Sequence, residues 1–163
     1  MKKIPISFKK LDPRAILPAY QTEQAAGMDL HASLPEGETI EISPGQWKLI
    51  PCGFAIEMRP GIEAQIRSRS GLALKNGILI LNSPGTVDAD YRGEISAMLF
   101  NAGPSAFSVR HGDRIAQMVF NEIVAARPVL VNELTPTGRG AGGFGHTGVS
   151  SPSTDNLLDK SPL

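Results

Sequence analysis

Residues 82–93, Asn-Ser-Pro-Gly-Thr-Val-Asp-Ala-Asp-Tyr-Arg-Gly, place two acids, an aromatic ring, an arginine and several turn formers within twelve positions. Apolar runs flank them, Ile78-Leu79-Ile80-Leu81 before and Ile95 with Ala97-Met98-Leu99-Phe100 after. Two such runs joined through Gly, Pro and Asn read as a β-hairpin. The joining segment is too long for a two-residue turn, and a long polar tip can shape a pocket. Asp, Asn and Gly also populate ordinary surface turns for local reasons, so this stretch alone reads as a decorated turn. Four other segments change that weighting.

Upstream, residues 4–8 alternate as a first strand, and Asp12-Pro13 and Leu17-Pro18 then break the chain. In Ala25-Ala26-Gly27-Met28-Asp29-Leu30-His31-Ala32-Ser33 the alternation from Met28 puts Asp29 and His31 on one strand face. A solvated face explains that pair as simply as a site does. Residues 39–42 and 46–50 flank Ser43-Pro44-Gly45 and read as a hairpin, and residues 54–58 and 63–67 as further strands. Short strands at this regular spacing mark an all-β barrel or sandwich. Next come Arg67-Ser68-Arg69-Ser70-Gly71, opening a short helical run that ends at Asn76-Gly77. Free backbone N–H groups, a small residue and an arginine suit an anion, although an ordinary helix cap uses the same residue types.

Downstream, Gly112-Asp113-Arg114-Ile115-Ala116-Gln117-Met118-Val119-Phe120 is a turn followed by a strand. Ile115, Met118 and Phe120 read as core, and Gln117 needs hydrogen bonds if buried. Residues 128–134 read as a last strand. Residues 138–148 hold six glycines in eleven positions and cannot form a core element. They read either as a loose tail or as an arm ordering over a ligand, with Arg139 for phosphate and Phe144 for a planar ring. A Gly-Lys-Ser/Thr ending and a strand–loop–helix context are both missing, so this is no P-loop. Residues 149–163 are polar and read as a disordered tail.

Composition narrows the classes. The chain of 163 residues suffices for one domain with a core. Lys+Arg and Asp+Glu are both 16, which argues against a broad nucleic-acid footprint while leaving room for a small anion held by a local cluster. Gly 17 and Pro 13 suit many short strands, and no apolar stretch keeps a helical period. Cys52 is the only cysteine and lies in an apolar setting with no nearby His, so it reads as structural in a cytosolic protein. His31, His111 and His146 are scattered, against a zinc centre. No apolar run approaches the roughly 20 residues of a membrane span. The N-terminus reads as a strand rather than a signal peptide, so the expected setting is soluble and intracellular, with neither membrane nor nucleic acid as partner.

Taken in order, Ala-Gly-Met-Asp-Leu, Arg-Ser-Gly-Leu-Ala, Gly-Thr-Val-Asp-Ala-Asp-Tyr-Arg-Gly, Gly-Asp-Arg-Ile-Ala-Gln and Arg-Gly-Ala-Gly-Gly-Phe-Gly resemble the five motifs of the dUTPase family, from residue 1 to about 148. That resemblance implies an all-β, jelly-roll-like distorted β-barrel over residues 1–137, with a short helix and with residues 138–148 as a flexible C-terminal arm. It implies a homotrimer with active sites shared between subunits. The reaction is hydrolysis of dUTP to dUMP and pyrophosphate with Mg2+, which supplies dUMP for dTMP synthesis and keeps uracil out of DNA. The expected base site is Asn82 with the backbone around Thr86, Val87 and Ser96, and Tyr91 would pack on the deoxyribose and exclude a 2′-hydroxyl. Asp88 would be the catalytic base. Arg69, Ser70, Gly71 and Gln117 would bind phosphates. Asp29 would hold the metal through water, the triphosphate being its main ligand. Arg139, Phe144, Gly145, His146 and Thr147 would form the closing arm. The residues themselves do not choose between Asp88 and Asp90; the resemblance selects Asp88. Ser68 stands where a proline often precedes Arg-Ser-Gly, and His146 where Ser is frequent. A dCTP deaminase on the same fold, or a nucleotide-binding regulator without turnover, are the alternatives; Asp88 and the complete fifth motif weigh against the first, and the intact set of Asp88, Arg69, Gln117 and Arg139 against the second.

Overall fold

The computed structural model describes residues 3–144. Contacts divide the chain into two compact units, residues 1–126 and 127–163. The first unit runs β1 (Ser7–Lys10), β2 (Ala19–Tyr20), β3 (Met28–His31), β4 (Thr39–Ile42), β5 (Trp47–Pro51), β6 (Phe54–Glu57), β7 (Ile62–Arg67), α1 (Ser70–Asn76), β8 (Ile78–Ile80), β9 (Gly85–Val87), β10 (Ser96–Asn101), β11 (Phe107–Arg110) and β12 (Arg114–Glu122). This is the all-β, distorted jelly-roll architecture expected, with one short helix. Strands order as β2-β3-β12-β7-β9, β5-β10-β8, β11-β4 and β1-β6, every pair antiparallel.

The period-two pattern explains the core. Along β7 the burial alternates, with Ile62, Ala64 and Ile66 inward, and along β10 Ala97, Leu99 and Asn101 point in. Leu30, Ile42, Phe54, Ile78, Leu99 and Met118 are all but inaccessible, and full burial of one such side chain stabilises by about 1.5–3 kcal/mol. Asn101 is a fully buried polar residue among them, and its amide is satisfied: Nδ2 donates to Ile42 O (2.7 Å) and Ser105 O (2.8 Å), and Oδ1 accepts from Gly103 N (2.8 Å). Cys52 is fully buried, and its thiol is pushed up to about 12 by loss of solvent, so it stays a protonated packing group. No helix among the described residues is long and apolar enough to cross a membrane.

The central hairpin is present, with an addition. β8 pairs with β10, Leu99 opposite Ile80 and Asn101 opposite Ile78. Between them the chain leaves the hairpin and forms β9, which pairs with β7 in the five-stranded sheet. Two expectations fail. The Ser43-Pro44-Gly45 turn forms, with Gln46 N donating to Ser43 O (3.0 Å), but β4 pairs with β11 and β5 with β10 rather than with each other. The turn is local chemistry, whereas strand partners are chosen by distant apolar faces. Residues 128–134 form no strand: Val129, Leu130 and Leu134 are strongly exposed, with no neighbouring edge to pair with among the described residues of that unit. β-propensity without a partner makes no strand.

In the second unit the described chain carries turns only. Gly140 N donates to Thr137 O (3.1 Å), and Arg139 Nε donates to Gly142 O (2.8 Å).

Candidate functional site

Two groups of candidate residues form within the first unit. The first surrounds a cavity of about 250 Å3 between β9 and β10, lined by Asn82, Thr86, Val87, Asp88, Tyr91 and Ser96 and walled by Leu49, Ile66, Ile95 and Met98. All six expected hairpin residues therefore line one cavity. β9 is the outermost strand of its sheet, so one edge of its backbone lacks a ladder partner. Asp88 directly follows β9 and lines the cavity; Asp90 does not. Asp88 O accepts from Tyr91 N (3.2 Å), which closes the turn that carries the ring. Arg92 donates to Ala89 O, to Tyr91 O and to Glu57, which ties the outer side of that turn down.

Tyr91 is held by close approach. Its Oη donates to Glu94 O (3.1 Å), and the ring lies against Gly93. A Cβ at position 93 would meet Tyr91 Cζ at 2.5 Å and Cε2 at 2.9 Å. Glu94 lines the cavity as well, its Oε1 accepting from Gly53 N (2.8 Å). The sequence reading did not single out Glu94. A charge wedged between Gly93 and an apolar strand was the available signal.

The second group lies on β3, β12 and the β7–α1 junction. Gln117 pairs with Asp29 on one side and Arg67 on the other, so these side chains share a sheet face. Gln117 makes one hydrogen bond within the chain, Nε2 donating to Ser68 O (3.0 Å), and Ser68 Oγ in turn accepts from Ile80 N (2.9 Å). Gly27 leaves it room, since a Cβ there would lie 2.7 Å from Gln117 Oε1. Asp29 is nearly buried, and both its oxygens are engaged. Oδ1 accepts from Arg69 Nε (3.1 Å) and Oδ2 from Arg114 Nη1 (3.1 Å). Arg69 stands at the N-cap of α1 in an extended conformation, and Ser70 and Gly71 open the helix as exposed residues. His31 shares the Asp29 face. Burial is the chief cause that lowers its pKa, and Asp29 opposes this while Arg114 and Arg69 reinforce it.

Among the described residues no group of three or more His, Cys, Asp or Glu side chains could hold a metal. Asp29, already paired with two guanidinium groups, does not fit an ion caged by the protein. The donor set does fit Mg2+ that arrives on phosphate oxygens and keeps its waters, one of which Asp29's remaining lone pairs could accept. Arg139 and Phe144 lie in the second unit, Phe144 fully exposed. Gly145, His146 and Thr147 lie outside the described residues.

A family model for dUTPase matches residues 13–148. The chain is 52% identical over 150 residues to the deoxyuridine 5'-triphosphate nucleotidohydrolase of Maricaulis maris, covering 91% of this chain and 99% of that protein. It is 56% identical over 133 residues to the enzyme of the same name from Desulfotalea psychrophila, covering 82% and 87%. Among solved structures, Staphylococcus bacteriophage 80alpha dUTPase with dUpNHpp superposes with a TM-score of 0.81 at 23% identity over 90% of this chain and 100% of that one. A mutant dUTPase from phage phi11 of S. aureus, whose structure shows the coordination of a structural Mg(II) ion, gives 0.72 at 20% identity over 82% and 100%. These likenesses join a matching fold to a family model spanning all five sequence motifs: the chain belongs to the dUTPase family.

Proposed function

We propose that this protein hydrolyses dUTP to dUMP and pyrophosphate, acting in the cytoplasm to supply dUMP for dTMP synthesis and keep uracil out of DNA. The observation that carries this is the convergence of Asn82, Thr86, Val87, Asp88, Tyr91 and Ser96 on one cavity in a chain of this family. The unpaired edge of β9 offers main-chain donors and acceptors to the N–H and carbonyls of uracil, as a neighbouring strand would. Cytosine presents a donor where uracil has an acceptor, and an unpaired buried group rejects it strongly. Tyr91 packs on the deoxyribose and fills the space of a 2′-hydroxyl. Asp88 accepts the proton of the attacking water.

Arg69, the exposed backbone N–H groups of Ser70 and Gly71, and Gln117 bind phosphate oxygens. Mg2+ carried by the triphosphate would polarise those oxygens, with Asp29 meeting it through water. Residues 138–148 act as an arm, in which Arg139, Phe144, Gly145, His146 and Thr147 close over the nucleotide.

The test is pyrophosphate release from dUTP, dCTP, dTTP and UTP with Mg2+ and with chelator, run beside a chain ended at Thr137. Release from dUTP alone, dependent on metal, is expected, with the shortened chain keeping its selectivity and losing about tenfold or more in rate. Equal release from all four nucleotides would overturn the uracil site.

The same reading includes a homotrimer. Trp47 and Leu49 are more than half exposed; Phe100 pairs with Trp47 and Leu79, and Met98 with Leu49, so these five share the outward face of β5-β10-β8. A monomer seldom exposes so contiguous an apolar face. Leu49 and Met98 also wall the cavity, so a second copy seated there would border the site. Light scattering should give three times the 17.4 kDa chain mass, and Trp47→Lys should shift it toward monomer with loss of activity. A fully active monomer would remove the shared site.

A further inference from the structure

We propose that Arg114 is a positioning residue that sets the phosphate-binding pose of Arg69, and that a β-bulge in β12 exists to place it. The inference rests on the dUTPase reading above. Asp29, Arg69 and Arg114 form a closed ring of hydrogen bonds. Arg69 Nε donates to Asp29 Oδ1 and Arg114 Nη1 donates to Asp29 Oδ2, both at 3.1 Å, and Arg69 Nη1 donates to Arg114 O at 2.9 Å. Arg114 thus touches the ring twice, with its side chain on the carboxylate and its carbonyl on the guanidinium. Asp29 and Arg69 are largely shielded, with side-chain exposures of 12% and 25%, whereas Arg114 is half exposed at 49%. The shielded carboxylate therefore depends on Arg114 for its second charge-assisted bond.

The backbone supports the same conclusion. Arg114 and Gln117 are three residues apart, and in a regular strand an odd separation sends side chains to opposite faces. Here Arg114 pairs with His31 and Ala116 with Leu30, so Ile115 is an extra residue facing no partner of its own. That bulge returns Arg114 to the face of Asp29, His31 and Gln117, and Ile115 itself is buried. Were β12 regular here, with Ile115 paired in the ladder, Arg114 would point away from Asp29. Arg69 then keeps Nη2, which makes no hydrogen bond within the described chain, as its free donor for a phosphate oxygen, while Nε and Nη1 are held.

The experiment measures the affinities of dUpNHpp and dUMP for the full chain and for Arg114→Gln, Arg114→Lys, Asp29→Asn, Arg69→Gln and the Asp29→Asn/Arg114→Gln double variant. Arg114→Gln should weaken dUpNHpp by about tenfold and leave dUMP nearly unchanged, because only the longer phosphate chain reaches Arg69. Arg114→Lys should recover part of that loss. The double variant should be no weaker than the worse single one, since both act through one ring. A merely structural role would weaken both nucleotides alike and lower the melting temperature. Equal losses for dUpNHpp and dUMP, or single effects that multiply in the double variant, would overturn the proposal. If Arg69→Gln binds dUpNHpp as the native chain does, the assignment of Arg69 to phosphate fails, and this inference with it. If Arg69→Gln is weak and Arg114→Gln is native-like, only the inference fails.

Discussion

Asp88→Asn is expected to lower turnover of dUTP by about a thousandfold while leaving dUpNHpp affinity within about threefold of native, as general-base removal does elsewhere. The substitution keeps the size and hydrogen-bonding shape of the side chain, so the turn closed by Asp88 O and Tyr91 N persists. What it removes is the carboxylate proposed to take the water's proton. Asp90→Asn provides the contrast. Asp90 does not line the cavity, and its variant should turn over at close to the native rate. Single-turnover kinetics with calorimetric binding separates the two parameters. An Asp88→Asn enzyme within about tenfold of native would assign the base elsewhere.

Gly93→Ala should relax sugar discrimination, lowering the preference for dUTP over UTP by about 10–200-fold, the range set by one misfitted group in a pocket. A methyl at position 93 cannot coexist with the ring of Tyr91 where it stands, at 2.5 Å from Cζ. The ring must swing off, and the Tyr91 Oη bond to Glu94 O breaks with it. The space denied to a 2′-hydroxyl then opens. The check is kcat/KM for both nucleotides, with Tyr91→Ala as reference. If Tyr91→Ala accepts UTP and Gly93→Ala still refuses it, Gly93 does not set the ring. If neither accepts it, Tyr91 is not what excludes the hydroxyl.

Local chemistry was legible in the chain. The apolar runs around residues 82–93 and the alternation in Met28-Asp29-Leu30-His31 identified β8, β10 and β3, and Asn76-Gly77 marked the end of α1, where Gly77 is left-handed. The six residues expected in the hairpin line one cavity because they lie close together in sequence around one turn. Non-local choices were not legible. β9 is three residues long, too short for a periodic signal, and its partner β7 lies well upstream. The 39–42 and 46–50 runs carried a correct turn and a wrong pairing, because each strand found a later partner. Residues 128–134 had the composition of a strand and no edge to join. Arg114 was hidden by parity. Counting by twos places it opposite Gln117, and nothing in Arg114-Ile115-Ala116 announces a bulge.

The place of β9 at the rim of its sheet bears on how this protein can change over evolutionary time. If uracil is read by the main chain of Thr86 and Val87, the letters of the genetic message at those codons have little say in which base is accepted. Side-chain exchange there would alter fit and stability while the row of amides and carbonyls stayed as it was. Switching the enzyme to another pyrimidine would then require moving a strand, and β9 is anchored through Ala64, Gln65 and Ile66 of β7. On the proposed reading, base choice becomes a property inherited with the architecture, whereas sugar choice hangs on a single ring and the bare glycine beneath it. Variation should therefore erode the second long before it touches the first.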